Sequence, residues 1–177
     1  MKRVVQLLLV VAVAGLAYWL WTVFFPSPEK VIRSRLNDLA KTVSFDSRGG
    51  MLSQALNAEK VADFFTVDVD IQIDVAGYGR QTLQGRDEVQ QAAMAARSRL
   101  TALKVGFVDI NVKLAPDGQS AKVNLTGNAN VPGEKDISAQ EFNFVLKKVD
   151  GKWLISHMET VKTLSLRNTS LRLAEAS

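Results

Sequence analysis

The amino-acid sequence predicts an α+β domain that follows a single N-terminal transmembrane helix. Three observations carry this prediction: a long apolar run opens the chain, later stretches repeat apolar residues at helical spacing, and others alternate apolar with polar residues. The chain has 177 residues, which leaves about one domain's length after the apolar run. A hydrophobic content of 47% and a charged content of 23% indicate a globular protein and argue against disorder.

Charge and cysteine content exclude several classes of function. The chain carries 22 Lys and Arg residues against 18 Asp and Glu residues, a formal net charge of +4. Because Lys2 and Arg3 precede the apolar run, the domain itself is close to neutral, which argues against a nucleic-acid partner. The absence of cysteine excludes disulfides, thiol nucleophiles and cysteine-ligated metals.

The apolar run covers residues 4–25, and the polar residues within it are Gln6 and Thr22. At a rise of about 1.5 Å per residue, a helix of this length crosses a bilayer. Aromatic side chains that favour a membrane interface lie near its C-terminal end: Tyr18, Trp19 and Trp21. The alternative is a signal peptide cleaved after residues 12–14, but cleavage there would leave a short apolar stretch and an exposed aromatic cluster.

The basic tip sets the expected orientation of this anchor. Lys and Arg residues beside a membrane span are retained on the cytoplasmic side. We therefore expect a single-pass protein of the inner (plasma) membrane, with a cytoplasmic N-terminus and a periplasmic or extracellular domain.

Three amphipathic helices are predicted in the domain. The first should begin with Ser27 as its N-cap and Pro28 as its first residue, and should end by Asp46. Its buried stripe is predicted to contain Ile32, Leu36, Leu39 and Val43. A shorter second helix is expected to have Asn57 as its cap. Its apolar spacing comes from Ala58, Val61, Ala62 and Phe65. The third follows Gly85, with acidic residues in its first turn and basic residues in its last, as the helix dipole favours.

The remaining predicted elements are strands. Residues 67–75 alternate apolar with polar side chains, and Gly77 and Gly79 mark the turn that follows. Four further strands are predicted as a meander: residues 103–114, 122–131, 137–149 and 153–164. Asp150 and Gly151 form a favoured two-residue hairpin turn between the last two. One core is predicted to contain Leu36, Leu39, Phe65, Ile71, Val89, Leu125, Phe142 and Phe144.

Three local sequences accompany this order of elements. Phe64 and Phe65 close the second helix, Gly85-Arg86-Asp87 opens the third, and residues 148–155 form the last hairpin. Over roughly residues 29–164, the chain resembles the nuclear transport factor 2-like superfamily, whose fold is a cystatin-like α+β cone. The resemblance implies a membrane-anchored member in which three helices pack on a curved antiparallel sheet, with a pocket at the open end.

The resemblance also suggests a division of the chain and a range of functions. Residues 1–25 would form the cytoplasmic tip and anchor, residues 26–166 the nuclear transport factor 2-like domain, and residues 167–177 a polar C-terminal tail. The superfamily contains ketosteroid isomerases, polyketide cyclases and dehydratases, but also non-enzymatic transport, assembly and secretion subunits. The fold alone therefore does not select a function.

No catalytic residue is assigned, and the candidates are Asp74 and His157. Enzymes of the superfamily commonly use an Asp on the strand after the second helix as an acid or base. Alternation places Asp68, Asp70 and Asp74 opposite the apolar face, toward solvent, and Asp74 lies nearest the strand end. His157 is the sole histidine, and Glu159 could orient it. Its strand face is predicted to be shared with Trp153, Ile155 and Glu159.

Gln140, Phe142 and Phe144 share one predicted strand face and are the expected ligand-pocket residues. Isomerase-like members of the superfamily place an acid where Gln140 stands, whereas a neutral amide donates a hydrogen bond but transfers no proton. No metal site is predicted. The alternating oxygen-bearing residues after Val67 lack the sixth-position glycine and the twelfth-position acid of a calcium loop: Asp68, Asp70, Gln72 and Asp74.

These observations lead to two hypotheses of function. The first is a membrane-anchored, extracytoplasmic, non-enzymatic domain that binds a partner protein of an envelope complex or a small apolar ligand. Its architecture is similar to that of inner-membrane assembly subunits of type IV secretion systems. The alternative is a small lyase or isomerase of the polyketide-cyclase or ketosteroid-isomerase type. No cofactor is expected, and the isolated domain is expected to be a monomer because the predicted outer face of its sheet is polar.

Overall fold

The computed structural model describes Gly15 and residues 27–46, 51–75, 79–132 and 138–161. Within these ranges the elements are α1 (Pro28–Val43), α2 (Met51–Ala62), β1 (Phe65–Val75), β2 (Gly79–Gln84), α3 (Arg86–Arg99), β3 (Lys104–Leu114), β4 (Ser120–Asn130), β5 (Ser138–Val149) and β6 (Lys152–Thr160). The predicted α+β class with three helices is confirmed. Apart from Gly15, the predicted anchor at residues 4–25 lies outside the described residues, as does the tail at residues 167–177.

The six strands form one mixed sheet in the order β2-β1-β6-β5-β4-β3. Strands β3 to β6 make an antiparallel meander, as predicted, and β1 and β2 form a second antiparallel pair. The prediction of an entirely antiparallel sheet is wrong, because β1 pairs in parallel with β6. The meander returns its last strand beside β1, and this long-range pairing brings Phe65 opposite Ile155.

The hydrophobic core lies between the helices and one face of the sheet, which we call the inner face. Its sheet side carries Val123, Leu125 and Phe144, and its helical side carries Ile32 and Leu36, all at most 1% exposed. Of the predicted core residues, those confirmed as buried are Leu36, Leu39, Phe65, Ile71, Val89, Leu125 and Phe144. Phe142 is half-buried and packs against this cluster. The opposite, outer face carries polar residues such as Lys122 and Asn124.

Two element predictions are corrected by the structure. Helix α2 begins at Met51, so Asn57 lies inside the helix instead of capping it, and Phe65 opens β1 instead of closing α2. Strand β2 was not predicted as a strand. It is an edge strand whose residues are exposed except for half-buried Leu83, so its sequence lacks the alternation that marks a half-buried strand.

The segment Gly85-Arg86-Asp87 has a structural role at the start of α3. Gly85 has a φ of 82°, a left-handed conformation that favours glycine. Arg86 then donates two hydrogen bonds to the carbonyl of Phe65, from Nε at 3.1 Å and from Nη2 at 2.6 Å. These bonds fix the first turn of α3 to the start of β1.

One turn and one bulge set the geometry of the meander. Asp150 and Gly151 both have positive φ, at 50° and 78°, which is the combination that a type I′ hairpin turn requires. Asp109, with φ 52°, lies in a bulge where the register of β3 against β4 shifts between Val108 and Asn111. The predicted hairpin turn between β5 and β6 is confirmed.

Among the described residues, no helix has both the length and the apolar character needed to cross a membrane.

Candidate functional site

A cavity opens on the inner face of the sheet, and we call it the inner pocket. Its volume is about 290 Å³. Apolar residues make up most of its lining: Leu39, Val43, Phe65, Ile73, Val105, Phe107, Gly127, Ala129, Phe142, Phe144 and Met158. The remaining lining residues are Asp74, Asn128 and Gln140. A concave, mainly apolar cavity with a few polar groups is typical of a small-molecule site.

Aromatic packing builds one wall of the inner pocket. The Phe144 ring packs edge-on against Phe107, with centroids 6.0 Å apart, and against Phe142, with centroids 6.1 Å apart. The Phe142 ring also approaches the backbone of Gly127 so closely that a Cβ there would lie 2.7 Å from Cε2 of Phe142. The absence of a side chain at Gly127 therefore allows the observed position of the Phe142 ring.

The three predicted ligand-pocket residues all lie in this lining. Gln140, Phe142 and Phe144 belong to β5, and the pairing with β4 places Gln140 opposite Gly127. Their role in binding a ligand stays a prediction. Asp74 also borders the pocket, while alternation with Ile73 keeps its side chain on the predicted solvent face, with Asp70 and Gln72. It is exposed, and its backbone N–H donates to Oγ1 of Thr160 at 3.0 Å.

The predicted environment of His157 is wrong. Trp153 and Ile155 are buried in the core, whereas His157 lies on the outer face. The pairing of β5 with β6 matches Leu146 with Ile155 and Val145 with His157, so Ser156 is an extra residue that reverses the alternation. Asp74 and His157 consequently line different cavities.

His157 has two carboxylate neighbours on the outer face. Its Nδ1 lies 3.1 Å from Oδ2 of Asp70 on β1, and its Nε2 lies 3.7 Å from Oε2 of Glu159. Glu159 was predicted as an orienting group for His157. The contact with Asp70 was missed, because it depends on the parallel pairing of β1 with β6, which no local sequence pattern indicates.

His157 and Glu159 belong to a second cavity, which we call the outer groove. It has a volume of about 460 Å³ and lies on the outer face of β3, β4, β5 and β6. Its polar lining residues are Asn111, Lys113, Lys122, Asn124, Asn143, His157 and Glu159. The sheet therefore carries a mainly apolar pocket on one face and a polar groove on the other.

One buried arginine lies apart from both cavities. Arg97 is 8% exposed, its Nη2 donates to the carbonyl of Thr42 at 2.7 Å, and its Cζ lies 4.7 Å from the ring centroid of Phe45. Burial lowers the pKa of the Arg97 guanidinium from its usual range. Sequence reasoning assigned this residue only to the helix dipole, whereas the structure uses it to join α3 to the end of α1.

No group of three or more His, Asp or Glu residues is placed to hold a metal ion within the ranges that the structure describes. The Asp side chains of β1 also do not converge. Asp68 and Asp74 are exposed, while Asp70 accepts a hydrogen bond from Nε2 of Gln72 and contacts His157.

Comparison with known families assigns this fold. The family model of the SnoaL-like domain matches residues 34–159, which extend from α1 to β6. This chain belongs to the SnoaL-like domain family. None of the curated proteins compared with its sequence matches it. The family assignment agrees with the predicted resemblance at the level of the nuclear transport factor 2-like, cystatin-like fold.

Solved structures with the same fold include proteins with different descriptions. A nuclear transport factor 2-like protein of unknown function from Pseudomonas putida has a TM-score of 0.60 and 10% identity, over 78% of the SnoaL-like chain and 89% of its own. A candidate scytalone dehydratase from Novosphingobium aromaticivorans has a TM-score of 0.55 and 16% identity, over 76% of the SnoaL-like chain and 83% of its own. A candidate association domain of a calcium/calmodulin-dependent protein kinase II from Xanthomonas campestris has a TM-score of 0.56 and 19% identity. The similarity covers 76% of the SnoaL-like chain and 87% of that protein. At these identities, the likenesses show the fold alone.

Proposed function

We propose that this SnoaL-like domain binds a small apolar ligand in the inner pocket, without catalysis, while residues 4–25 hold it at a membrane. The observation that carries the proposal is the lining of the pocket. Eleven of its fourteen residues are apolar or glycine, and Phe107, Phe142 and Phe144 form an aromatic wall. Burial of an apolar ligand against such a lining is driven by about 25 cal/mol per Å² of apolar surface removed from water.

The polar lining residues suit orientation of the ligand better than proton transfer. Gln140 carries an amide, which donates and accepts hydrogen bonds but does not exchange protons near neutral pH. Asn128 borders the pocket, but alternation with Gly127 and Ala129 places its side chain on the outer face. Asp74 is the sole carboxylate of the lining and is exposed to water. The ligand that fits best is therefore a compact, mainly apolar molecule with one carbonyl or hydroxyl group directed toward Gln140.

Met158 provides a direct reporter of occupancy. The chain has four methionines, of which Met158 lines the inner pocket and Met94 is 45% exposed on α3. We expect the bicyclic ketone 2-tetralone to shift the ¹³C-methyl signal of Met158 saturably and to leave that of Met94 unchanged. The full chain would be studied in a non-ionic detergent, because residues 4–25 are strongly apolar. Equal shifts of both methyl signals would indicate unspecific partitioning and contradict the proposal.

A pair of matched variants tests the location of binding. Ala129→Leu adds volume to the lining, so it should weaken 2-tetralone binding by about tenfold or more. Ala95→Leu makes the same change at an exposed position of α3 and should leave binding unchanged. Unweakened binding to Ala129→Leu would place the ligand outside the inner pocket.

A lyase or isomerase remains the second candidate, because Asp74 and Gln140 line the same pocket. In this alternative, the Asp74 carboxylate turns from the solvent face to the rim of the pocket and takes a proton from the carbon beside a carbonyl, and the Gln140 amide donates a hydrogen bond to the developing oxyanion. The same ketone distinguishes the two candidates. Exchange of its α-protons in D₂O, accelerated by the protein and lost in Asp74→Asn, would favour the enzyme. Saturable binding without acceleration would favour the binding function.

A further inference from the structure

Strand pairing lines up polar side chains on the outer face in a row that crosses five strands. Asn111 of β3 lies opposite Asn124 of β4, which lies opposite Asn143 of β5. Asn143 lies opposite Glu159 of β6, which in turn lies opposite Gln72 of β1. Because cross-strand neighbours on one face are close enough to interact, this row is a continuous polar surface.

Hydrogen bonds connect the middle of this row. Asn124 donates from Nδ2 to Oδ1 of Asn143 at 3.1 Å, and Asn143 donates from Nδ2 to Oε1 of Glu159 at 3.3 Å. Glu159 also lies beside Nε2 of His157, whose other nitrogen contacts Asp70. The amides and the imidazole are therefore held in defined orientations at one end of the outer groove.

The neighbouring row carries two lysines at the other end of the groove. Lys113 of β3 lies directly opposite Lys122 of β4. Like charges in directly opposed positions destabilise a sheet. In the part of the chain that the structure describes, neither ammonium group has a carboxylate within the 4.0 Å of an ion pair. Both lysines line the groove, so an anion bound there would relieve their repulsion.

We propose that the outer groove binds a phosphate monoester of a small polyhydroxyl compound. The phosphate lies between Lys113 and Lys122, and the hydroxyl groups bind Asn143 and Glu159. A phosphate monoester carries close to two negative charges near neutral pH and so matches two ammonium groups. Strands β4 and β6 lie two strand spacings apart, about 10 Å, which is the reach of a sugar phosphate. The site is separate from the inner pocket, so it does not depend on the function proposed for that pocket.

His157 is the sole histidine of the chain, which makes its imidazole signals a single-residue reporter of the groove. We expect glucose 6-phosphate, titrated into the full chain in detergent, to shift these signals saturably. Glucose at the same concentrations should shift them little, because it lacks the anionic group. The absence of a saturable shift with glucose 6-phosphate would overturn the proposal, as would equal binding of inorganic phosphate, which would show that the hydroxyl groups are not recognised.

Charge-neutral variants locate the phosphate. Lys113→Gln and Lys122→Gln should each weaken glucose 6-phosphate binding by about tenfold, because each removes one charge-assisted contact. Lys152→Gln makes the same change at an exposed residue outside the groove and should have little effect. If all three variants weakened glucose 6-phosphate binding equally, binding would depend only on the net charge of the protein, and the proposed site would be wrong. If the protein formed a dimer and Lys122→Gln dissociated that dimer, the outer groove would be the contact with a second copy of the chain. This result would also overturn the proposal.

Discussion

At the scale of single residues, Gly127 controls the shape of the inner pocket. The Phe142 ring packs against its backbone, and the other ring near the same position is that of Phe107, 3.6 Å from the site of a Cβ. The φ angle of Gly127 is not positive, so its backbone conformation does not require glycine. Glycine is required at this position because a side chain has no space there. Any side chain at Gly127 must therefore displace the Phe142 ring.

The first prediction concerns Gly127→Ala. The new methyl group would force the Phe142 ring to turn, so we expect a loss of about 1–3 kcal/mol in the free energy of unfolding. We also expect weaker 2-tetralone binding, measured by the methyl signal of Met158. Gly106→Ala is the matched control, because a Cβ at Gly106 of β3 meets nothing within 4 Å. Its effect should be about 1 kcal/mol or less in denaturant unfolding, and equal effects of the two variants would contradict this account.

At the scale of elements, the orientation of β5 follows from alternation along the strand. Phe144 and Leu146 are at most 1% exposed on the inner face, whereas Lys147, which alternates with them on the outer face, is exposed. The second prediction is that Phe144→Ala lowers the free energy of unfolding by about 3–5 kcal/mol, because it leaves a cavity in the core. Lys147→Ala should change it by about 0.5 kcal/mol or less. Denaturant unfolding of both variants checks this, and a small effect of Phe144→Ala would reverse the assigned faces of β5.

Strand β6 illustrates how far a sequence pattern can be followed. Alternation correctly predicted that Trp153 and Ile155 share one face, which the structure shows to be buried, but one extra residue at Ser156 places His157 on the other face. Ser156 has no paired residue on β5, and its hydroxyl donates a hydrogen bond to the carbonyl of Val145 at 3.2 Å. A bulge of this kind depends on the fit between two strands, so the local sequence of β6 does not reveal it.

Long-range pairing explains the other limits of prediction. The helices and the β3–β6 meander were predicted because their apolar spacing and turn residues are local signals. The parallel contact of β1 with β6 joins Asp70 to His157, and the pairing of β3 with β4 opposes Lys113 to Lys122. The amino-acid pattern of the individual strands indicates neither of these two contacts. The inner-face residues of β5 and the polar character of the outer face were therefore predictable, whereas the two pairs of the outer face were not.

At the scale of the whole molecule, the two faces of the sheet have opposite chemistry, and this bears on self-association. A stable dimer through the outer face would bury Lys113, Lys122 and Glu159, although interface cores are depleted of charged residues. The third prediction is that the full chain in detergent sediments as a monomer at low micromolar concentration. A tight dimer under these conditions, preserved after dilution, would refute it.

The fourth prediction concerns the side of the membrane on which the domain lies. Lys2 and Arg3 precede the apolar residues 4–25, so the positive-inside rule predicts that the domain lies outside the cytoplasm. The chain contains no cysteine, and Gln91 is exposed on α3, so Gln91→Cys introduces a single accessible thiol. In intact spheroplasts this thiol should react with a membrane-impermeant maleimide, and detergent lysis should not increase the labelling. Labelling that occurs only after lysis would place the domain in the cytoplasm. If the protein instead began after residue 14 and left the membrane fraction, residues 4–25 would act as a cleaved signal and the domain would bind its ligand unanchored.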